Sequence, residues 1–124
     1  MRIVKSIFFD AAHFLDQGDA VDPETRPYAR MHGHSFTLEV EIEGAPDENT
    51  GWVVDFADVA DALEPIREML DHRLLNEVPG LERPTLENIC RWVADRLQKD
   101  FPGLRTVSVA RASNGERCIY EVSS

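Results

Sequence analysis

A strict alternation of apolar and polar residues over positions 36–43 is the feature that most constrains the fold. The apolar members are Phe36, Leu38, Val40 and Ile42. The residues between them are polar or charged: Thr37, Glu39, Glu41 and Glu43. Because successive side chains of a strand point to opposite faces, this pattern predicts an antiparallel strand with one buried face and one solvated face.

Two segments flank this strand on its N-terminal side. Residues 2–9 are rich in β-forming residues and predict a first strand that runs on towards His13. Residues 16–29 combine Asp, Gly and Pro with little periodicity, which predicts an exposed loop.

Two helices and two more strands are predicted after it. Asp55 is the expected N-cap of a helix over about residues 56–69, and Thr85 that of a second helix over about residues 86–97. A third strand is expected around Val107 and a fourth over residues 118–122, joined by a hairpin turn at positions 114–115.

The element order ββααββ predicts an α+β fold, in which two helices lie on one face of a four-stranded antiparallel sheet. No repeat, linker or low-complexity segment divides the chain, so residues 1–124 are expected to form a single domain. The long first strands are joined by a loop and not by a two-residue turn, so they leave exposed sheet edges. Such edges favour pairing between subunits, which predicts a homo-oligomer.

Composition excludes several classes of function. A net charge of −10 over 124 residues argues against nucleic acid as a partner, because such proteins need a basic face. No apolar run is long enough to span a membrane, and the N-terminus lacks the pattern of a secretory signal. Two cysteines make a disulfide scaffold improbable, so a reducing, cytoplasmic location is expected.

Three histidines form the strongest candidate site. His32 and His34 flank Gly33, and residues two apart on a strand point to the same face. His13, near the end of the preceding strand, can reach that face from an antiparallel neighbour. Three neutral imidazoles suit Zn²⁺ with a fourth position open for water or substrate, as in catalytic sites. The alternative is that these histidines are surface residues or only support a neighbouring site.

The dipeptide Asp71–His72 follows the first predicted helix. A carboxylate beside an imidazole can orient it for general acid–base chemistry. The alternative interpretation is a polar helix end. Cys90 and Cys118 both fall in apolar patterns, so we expect structural roles for them.

Several motifs together resemble one known family. They are FDAAH at 9–13, MHGHSF at 31–36, TGWVVDF at 50–56, LDH at 70–72, LNEVPGLE at 75–82, PTLE at 84–87 and CIY at 118–120. In this order, over nearly the whole chain, they resemble the 6-pyruvoyl-tetrahydropterin synthase family. The resemblance is greatest to its 6-carboxy-tetrahydropterin synthase branch, which belongs to queuosine biosynthesis.

The resemblance implies a T-fold that assembles through its sheet edges into a barrel-like, hexamer-type homo-oligomer with sites between subunits. It implies His13, His32 and His34 as zinc ligands, with zinc binding the side-chain hydroxyls of 7,8-dihydroneopterin triphosphate. Asp71 and His72 match two members of the family's catalytic triad.

The third triad member, a cysteine upstream of the His-Gly-His segment, is absent, and its aligned position is Tyr28. A phenol has a pKa of about 10, so Tyr28 would act as acid or base only if strongly perturbed, and a structural or stacking role is the alternative. Glu24, in the same loop, is a second candidate for the missing group.

A further departure lies near the C-terminus, where Arg111 aligns with the family's pterin-anchoring glutamate. A guanidinium can only donate hydrogen bonds, so the pocket is expected to differ, and Glu116 is a candidate substitute. Thr85, Arg111 and Glu116 are the residues that the resemblance places at the substrate. An anionic triphosphate would also need a local positive site, for which zinc, Arg26, Arg30 and Arg111 are candidates.

The function expected from these features is a zinc-dependent lyase of the 6-carboxy-tetrahydropterin synthase type. The alternative is an altered paralogue that binds or converts a different pterin-like metabolite. A purely structural oligomer is the third hypothesis, and it leaves the histidines and Asp71–His72 unexplained.

Overall fold

The computed structural model describes residues 1–15 and 26–123, so most of the predicted loop over 16–29, including Glu24, lies outside the described residues. The principal elements are β1 (Arg2–His13), β2 (His32–Glu43), α1 (Phe56–Leu70), α2 (Leu86–Leu97), β3 (Leu104–Arg111) and β4 (Glu116–Glu121). The predicted ββααββ order is confirmed. Short 3₁₀ turns at Pro27–Ala29, Leu75–Glu77 and Ala112–Asn114 join some of these elements.

The strands form one antiparallel sheet in the order β1-β2-β3-β4. The alternation seen in the sequence sets its two faces: Phe36, Leu38, Val40 and Ile42 are buried, whereas the intervening side chains are more exposed. Since β1 and β2 pair along their whole length, the predicted strands extend as far as His13 and His32 at one end of the sheet.

Both helices cover the buried face of the sheet. The carboxylate of Asp55 accepts a hydrogen bond from the Ala57 N–H at 2.9 Å, which caps α1 as expected. The apolar stripe of α1 is buried, as are most of the apolar side chains of α2; the stripe consists of Val59, Leu63, Ile66 and Leu70. The predicted α+β class, with two helices on one face of the sheet, is confirmed.

The turn between β3 and β4 fixes the register at the end of the sheet. Gly115 has a φ of 69°, a left-handed conformation that favours glycine, and it follows the 3₁₀ turn at Ala112–Asn114. This geometry places Arg111 directly opposite Glu116 in the β3–β4 ladder.

The segment after α1 covers one end of the outer edge of β1. The N–H of His72 donates to the Asp10 carbonyl at 2.6 Å, and the N–H of Ala12 donates to the Arg73 carbonyl at 3.0 Å. A parallel bridge pairs Ala12 with Leu74. These bonds use backbone groups of β1 that no strand within the described part of the chain pairs on that side.

Candidate metal centre

The β1–β2 ladder brings the three sequence-predicted histidines together at one end of the sheet. His13 is the register partner of His32, and Ala11 is the partner of His34. All three imidazoles lie on the face that also carries Phe36, because their positions continue the alternation of the buried residues. At Gly33, a Cβ atom would lie 3.3 Å from the Ala11 carbonyl oxygen, so a small residue lets the two strands approach closely.

The arrangement of ring nitrogens is suited to a metal ion. One nitrogen from each imidazole lies within 4.8 Å of the other two. The Nε2 atoms of His13, His32 and His34 are buried and have no hydrogen-bond partner among residues 1–15 and 26–123. Three buried, unpartnered imidazole nitrogens that lie close together match the donor set that Zn²⁺ accepts in open catalytic sites.

Backbone carbonyls fix which nitrogen is available in two of the three rings, those of His13 and His32. The Nδ1 atom of His13 lies 3.0 Å from the Pro84 carbonyl oxygen, and that of His32 lies 2.6 Å from the Arg30 carbonyl oxygen. Because a carbonyl only accepts, Nδ1 carries the proton in both rings and Nε2 carries the lone pair. This is the tautomer required of an Nε2 metal ligand, and the outer hydrogen bond also orients the ring.

The electrostatics of the cluster favour the neutral imidazole at His13 and His34. Burial lowers the pKa of His13 from its ordinary 6.5 to about 4, although the hydrogen bond to Pro84 acts in the opposite direction. Burial also lowers the pKa of His34, and repulsion from Arg111, and from His32 when that ring is protonated, acts in the same direction. Neutral imidazole is the form that binds a metal cation, so the residues present fit a zinc ion.

Tyr28 lies beside the cluster. Its ring centroid is 5.5 Å from that of His32 and 5.3 Å from the guanidinium carbon of Arg111. Its hydroxyl donates to Glu116 at 3.5 Å and accepts from the amide nitrogen of Asn114 at 3.3 Å. An open pocket of about 600 Å³ is lined by Tyr28, His32 and Asn114, so the phenol faces the space next to the histidines.

Arg111 and Glu116 lie at the same end of the sheet. Arg111 alternates with the buried Val107 and Val109, which puts its side chain on the helix-covered face with the histidines. Its Nε atom is 3.0 Å from Oε1 of Glu116. The structure therefore brings these two predicted substrate residues together near the cluster.

Asp71 and His72 form a hydrogen-bonded pair at the outer edge of β1. The Nδ1 atom of His72 lies 3.0 Å from Oδ2 of Asp71, and Oδ1 of Asp71 accepts from the Asp10 N–H at 2.9 Å. The hydrogen bond from Asp10 is the largest of the causes that lower the pKa of Asp71, and Arg67 acts in the same direction from 3.2 Å. The carboxylate is thus ionised and held in a fixed orientation.

The Asp71–His72 pair is not in contact with the metal cluster. His72 and His34 line a common groove of about 630 Å³, but within the described parts of the chain no hydrogen bond or ring contact joins the pair to the three histidines. The side chain of His72 is 79% exposed, so it is open to an incoming molecule.

Thr85 acts as a helix cap. Its hydroxyl oxygen accepts a hydrogen bond from the Asn88 N–H at 3.1 Å. Its connection to the cluster runs through its neighbour Pro84, whose carbonyl accepts from His13. The remaining predicted functional residue of this region, Glu24, lies outside the described residues.

Some groups around the site are not evident from the sequence. The carbonyls of Arg30 and Pro84 leave no signal in residue type, because every residue has a carbonyl. Arg67 was also missed, although its position four residues before Asp71 on a predicted helix is a spacing at which charged pairs form.

Both cysteines are free, and Cys90 lies in the core. Burial raises the pKa of the Cys90 thiol to about 12, which suppresses the reactive thiolate. The structural role expected for Cys90 agrees with this environment. The helices in the described part of the chain are too short or too polar to cross a membrane.

Comparison with known proteins shows what the chain is similar to. The family model described as 6-pyruvoyl tetrahydropterin synthase matches residues 2–123. A dihydroneopterin monophosphate aldolase from Pyrococcus furiosus is 35% identical over 102 residues, covering 82% of this chain and 79% of the relative. A putative 6-carboxy-5,6,7,8-tetrahydropterin synthase from Archaeoglobus fulgidus is 38% identical over 110 residues, covering 89% and 87%.

Solved structures share the fold. The 6-pyruvoyl tetrahydropterin synthase of Caenorhabditis elegans superposes with a TM-score of 0.85 at 21% sequence identity, covering 99% of this chain and 96% of that one. The T-fold expected from the sequence is therefore confirmed.

Proposed function

Because the chain belongs to the 6-pyruvoyl tetrahydropterin synthase family, we propose that it is a pterin-processing enzyme of that type. Its specific reaction, on this proposal, is that of a zinc-dependent lyase of the 6-carboxy-tetrahydropterin synthase type acting on 7,8-dihydroneopterin triphosphate. The observation that carries the proposal is the set of three buried Nε2 atoms, two of them in rings whose Nδ1 proton is held by a carbonyl.

His13, His32 and His34 would hold the zinc. When bound there, zinc would polarise oxygen atoms on the substrate side chain and make the neighbouring carbon-bound protons more acidic. The ring of Phe36 forms an apolar surface beneath the site. Its centroid lies 5.6 Å from that of His13 and 5.4 Å from that of His34. This apolar surface keeps water away from one side of the cluster, which would strengthen electrostatic interactions at a bound metal ion.

The proton transfers are assigned to Asp71 and His72. Asp71 holds the Nδ1 proton of His72, so the exposed Nε2 atom of His72 is free to accept or donate a proton at the substrate. Tyr28 is the candidate for the position of the missing cysteine. Its hydroxyl already has two polar neighbours, Glu116 and Asn114, through which a proton can be exchanged.

We also propose a barrel-like, hexamer-type homo-oligomer in which the site is shared. The exposed Asp71–His72 pair of one subunit would complete the histidine cluster of its neighbour. Exposed apolar side chains on the open face of the sheet support association, notably Phe8 and Ile119. The free cysteines support the proposal of a reducing, cytoplasmic location.

A second reaction is favoured by the name of one relative. The Pyrococcus furiosus protein is named a dihydroneopterin monophosphate aldolase, and a different reaction would also suit the expectation, drawn from the resemblance, that Arg111 stands in place of a pterin-anchoring glutamate. We therefore carry the alternative of an altered paralogue that converts a related pterin, such as dihydroneopterin monophosphate, by carbon–carbon cleavage.

Mass spectrometry of reaction products tests both proposals. Zinc-loaded protein is incubated separately with 7,8-dihydroneopterin triphosphate and with dihydroneopterin monophosphate, each beside a no-enzyme control. A 6-carboxy-tetrahydropterin from the triphosphate supports the first reaction, and a pterin shortened by side-chain cleavage from the monophosphate supports the second. No turnover of either compound contradicts the proposed function.

The same assay examines Tyr28. Tyr28→Phe removes the hydroxyl and keeps the ring, and Tyr120→Phe is the matched control because Tyr120 is the other tyrosine of the chain. A loss of activity confined to Tyr28→Phe supports an acid–base role. Full activity of Tyr28→Phe removes the hydroxyl from the mechanism.

A further inference from the structure

Arg111 is a nearly buried cation at the end of β3. Its side chain is 11% exposed, and it lies on the helix-covered face of the sheet. A guanidinium has five N–H donors and no acceptor, so burial is costly unless anionic or carbonyl oxygens surround it.

The described part of the chain supplies too few oxygens to Arg111. The Nε and Nη1 atoms of Arg111 are buried, and neither has a well-aligned hydrogen bond to any residue that the structure describes. The approach of Nε to Glu116 at 3.0 Å is an ion pair without hydrogen-bond alignment. The ring of Tyr28 provides a cation–π contact and no acceptor on this side.

Glu116 is a counter-ion that can be displaced. Its side chain is 38% exposed, and the hydrogen bond that its other oxygen accepts from Tyr28 is long, at 3.5 Å. An incoming oxyanion that bonds Arg111 in the fork geometry would replace a poorly aligned pair with two aligned charge-assisted bonds.

Arg111 is close enough to the histidine cluster to act on the same ligand. Tyr28 contacts both the His32 ring and the Arg111 guanidinium. The positive charge of Arg111 also lowers the pKa of His13 and of His34. A bound dication together with Arg111, whose carboxylate partner among the described residues is Glu116, would give a locally positive site in a chain whose net charge is −10.

We propose that Arg111, gated by Glu116, forms an anion subsite beside the metal centre that binds a phosphate or carboxylate group of the substrate. This inference rests on the proposed function, since it assigns a charged substituent to the ligand of that site. With arginine at position 111, this end of the pocket selects negatively charged groups. A glutamate at the same position would instead select N–H donors.

Binding of small anions, without turnover, tests the subsite. Isothermal titration calorimetry is performed on the full-length protein, metal-free and zinc-loaded, with inorganic phosphate and with acetate as probes. Arg111→Gln is expected to weaken binding of the preferred anion about tenfold, in both metal states. Glu116→Gln is expected to strengthen it, because the amide keeps the shape and removes the competing charge.

Arg117→Gln is the matched control. Arg117 is a β4 arginine that pairs with Glu39. Its variant also removes one positive charge, but at a position away from the cluster. It is expected to leave anion binding unchanged, and circular dichroism checks that each variant is folded. Stronger binding of phosphate than acetate identifies a phosphate group, and the reverse order identifies a carboxylate.

Three results would overturn the subsite: no binding of either anion to the wild type, equal losses in Arg111→Gln and Arg117→Gln, or weaker binding in Glu116→Gln. If Arg111→Gln fails to fold, the direction of change in Glu116→Gln still decides. Since no catalysis is measured, the subsite can fail while the proposed enzymatic activity stands, and the reverse also holds.

Discussion

At the scale of single residues, the bond made by Nδ1 decides what two of the three cluster histidines can do. The carbonyls of Pro84 and Arg30 hold the Nδ1 protons of His13 and His32 and leave both Nε2 atoms without a partner in the described chain. A histidine pair on a strand surface would instead turn its nitrogens to water. The Nδ1 bonds are therefore those that the proposed metal ligands would need.

Metal content measured by inorganic mass spectrometry tests this ligand set. The wild type is expected to bind one zinc per chain, whereas His32→Ala, which deletes a ligand, should lose nearly all of it. His72→Ala is the control, because His72 pairs with Asp71 and lies outside the cluster. Equal zinc content in the three proteins would mean that the ion binds elsewhere.

At the scale of elements, the residues just before α2 join that helix to the histidine cluster. Thr85 caps the helix by accepting from Asn88, and the preceding Pro84 carbonyl accepts from His13. The threonine expected to contact substrate therefore directly follows the residue whose carbonyl orients His13.

Thr85→Ala removes the cap and is expected to lower the free energy of unfolding of the metal-free protein by about 1 kcal/mol. Zinc affinity should also fall, because the Pro84 carbonyl is held less firmly. Urea denaturation and competition with a metal chelator measure the two effects. Thr85→Ser keeps the hydroxyl and should retain most of the stability and most of the zinc affinity. A Thr85→Ala variant with an unchanged free energy of unfolding would exclude a structural role for the cap.

Much of the sheet could be predicted because its pattern is local. The alternation that buries Phe36 continues back through His34 to His32, so the sequence itself indicates that these rings share the core face. The ion pair of Arg111 with Glu116 could not be predicted from a local pattern. It depends on a register set by the left-handed turn at Gly115, and a shift of one residue would turn Glu116 to the other face.

At the scale of the whole molecule, one chain carries the proposed chemistry in two separate places. The metal cluster lies on the helix-covered face, and the Asp71–His72 pair lies at the edge of β1. The shared site proposed above, assembled from two subunits, would bring them together.

Mixing two inactive variants tests shared sites. His32→Ala removes the metal site and His72→Ala removes the acid–base group, so each alone is expected to be inactive. Co-expressed in equal amounts, they should recover about one quarter of wild-type activity if neighbouring subunits contribute the two parts. Size-exclusion chromatography with light scattering confirms that mixed oligomers form. No recovery in such oligomers would place both parts of each site within one chain.

If zinc binds as proposed, the hydrogen bond between His13 and Pro84 would also link zinc supply to protein abundance. An ion that binds only the folded chain stabilises it by mass action, and here the His13 ring that would hold the ion is bonded to the residue before the N-cap of α2. In a cell short of zinc, more of the chain would therefore open and be degraded by proteases. Zinc starvation would thus reduce the number of molecules as well as the activity of each one.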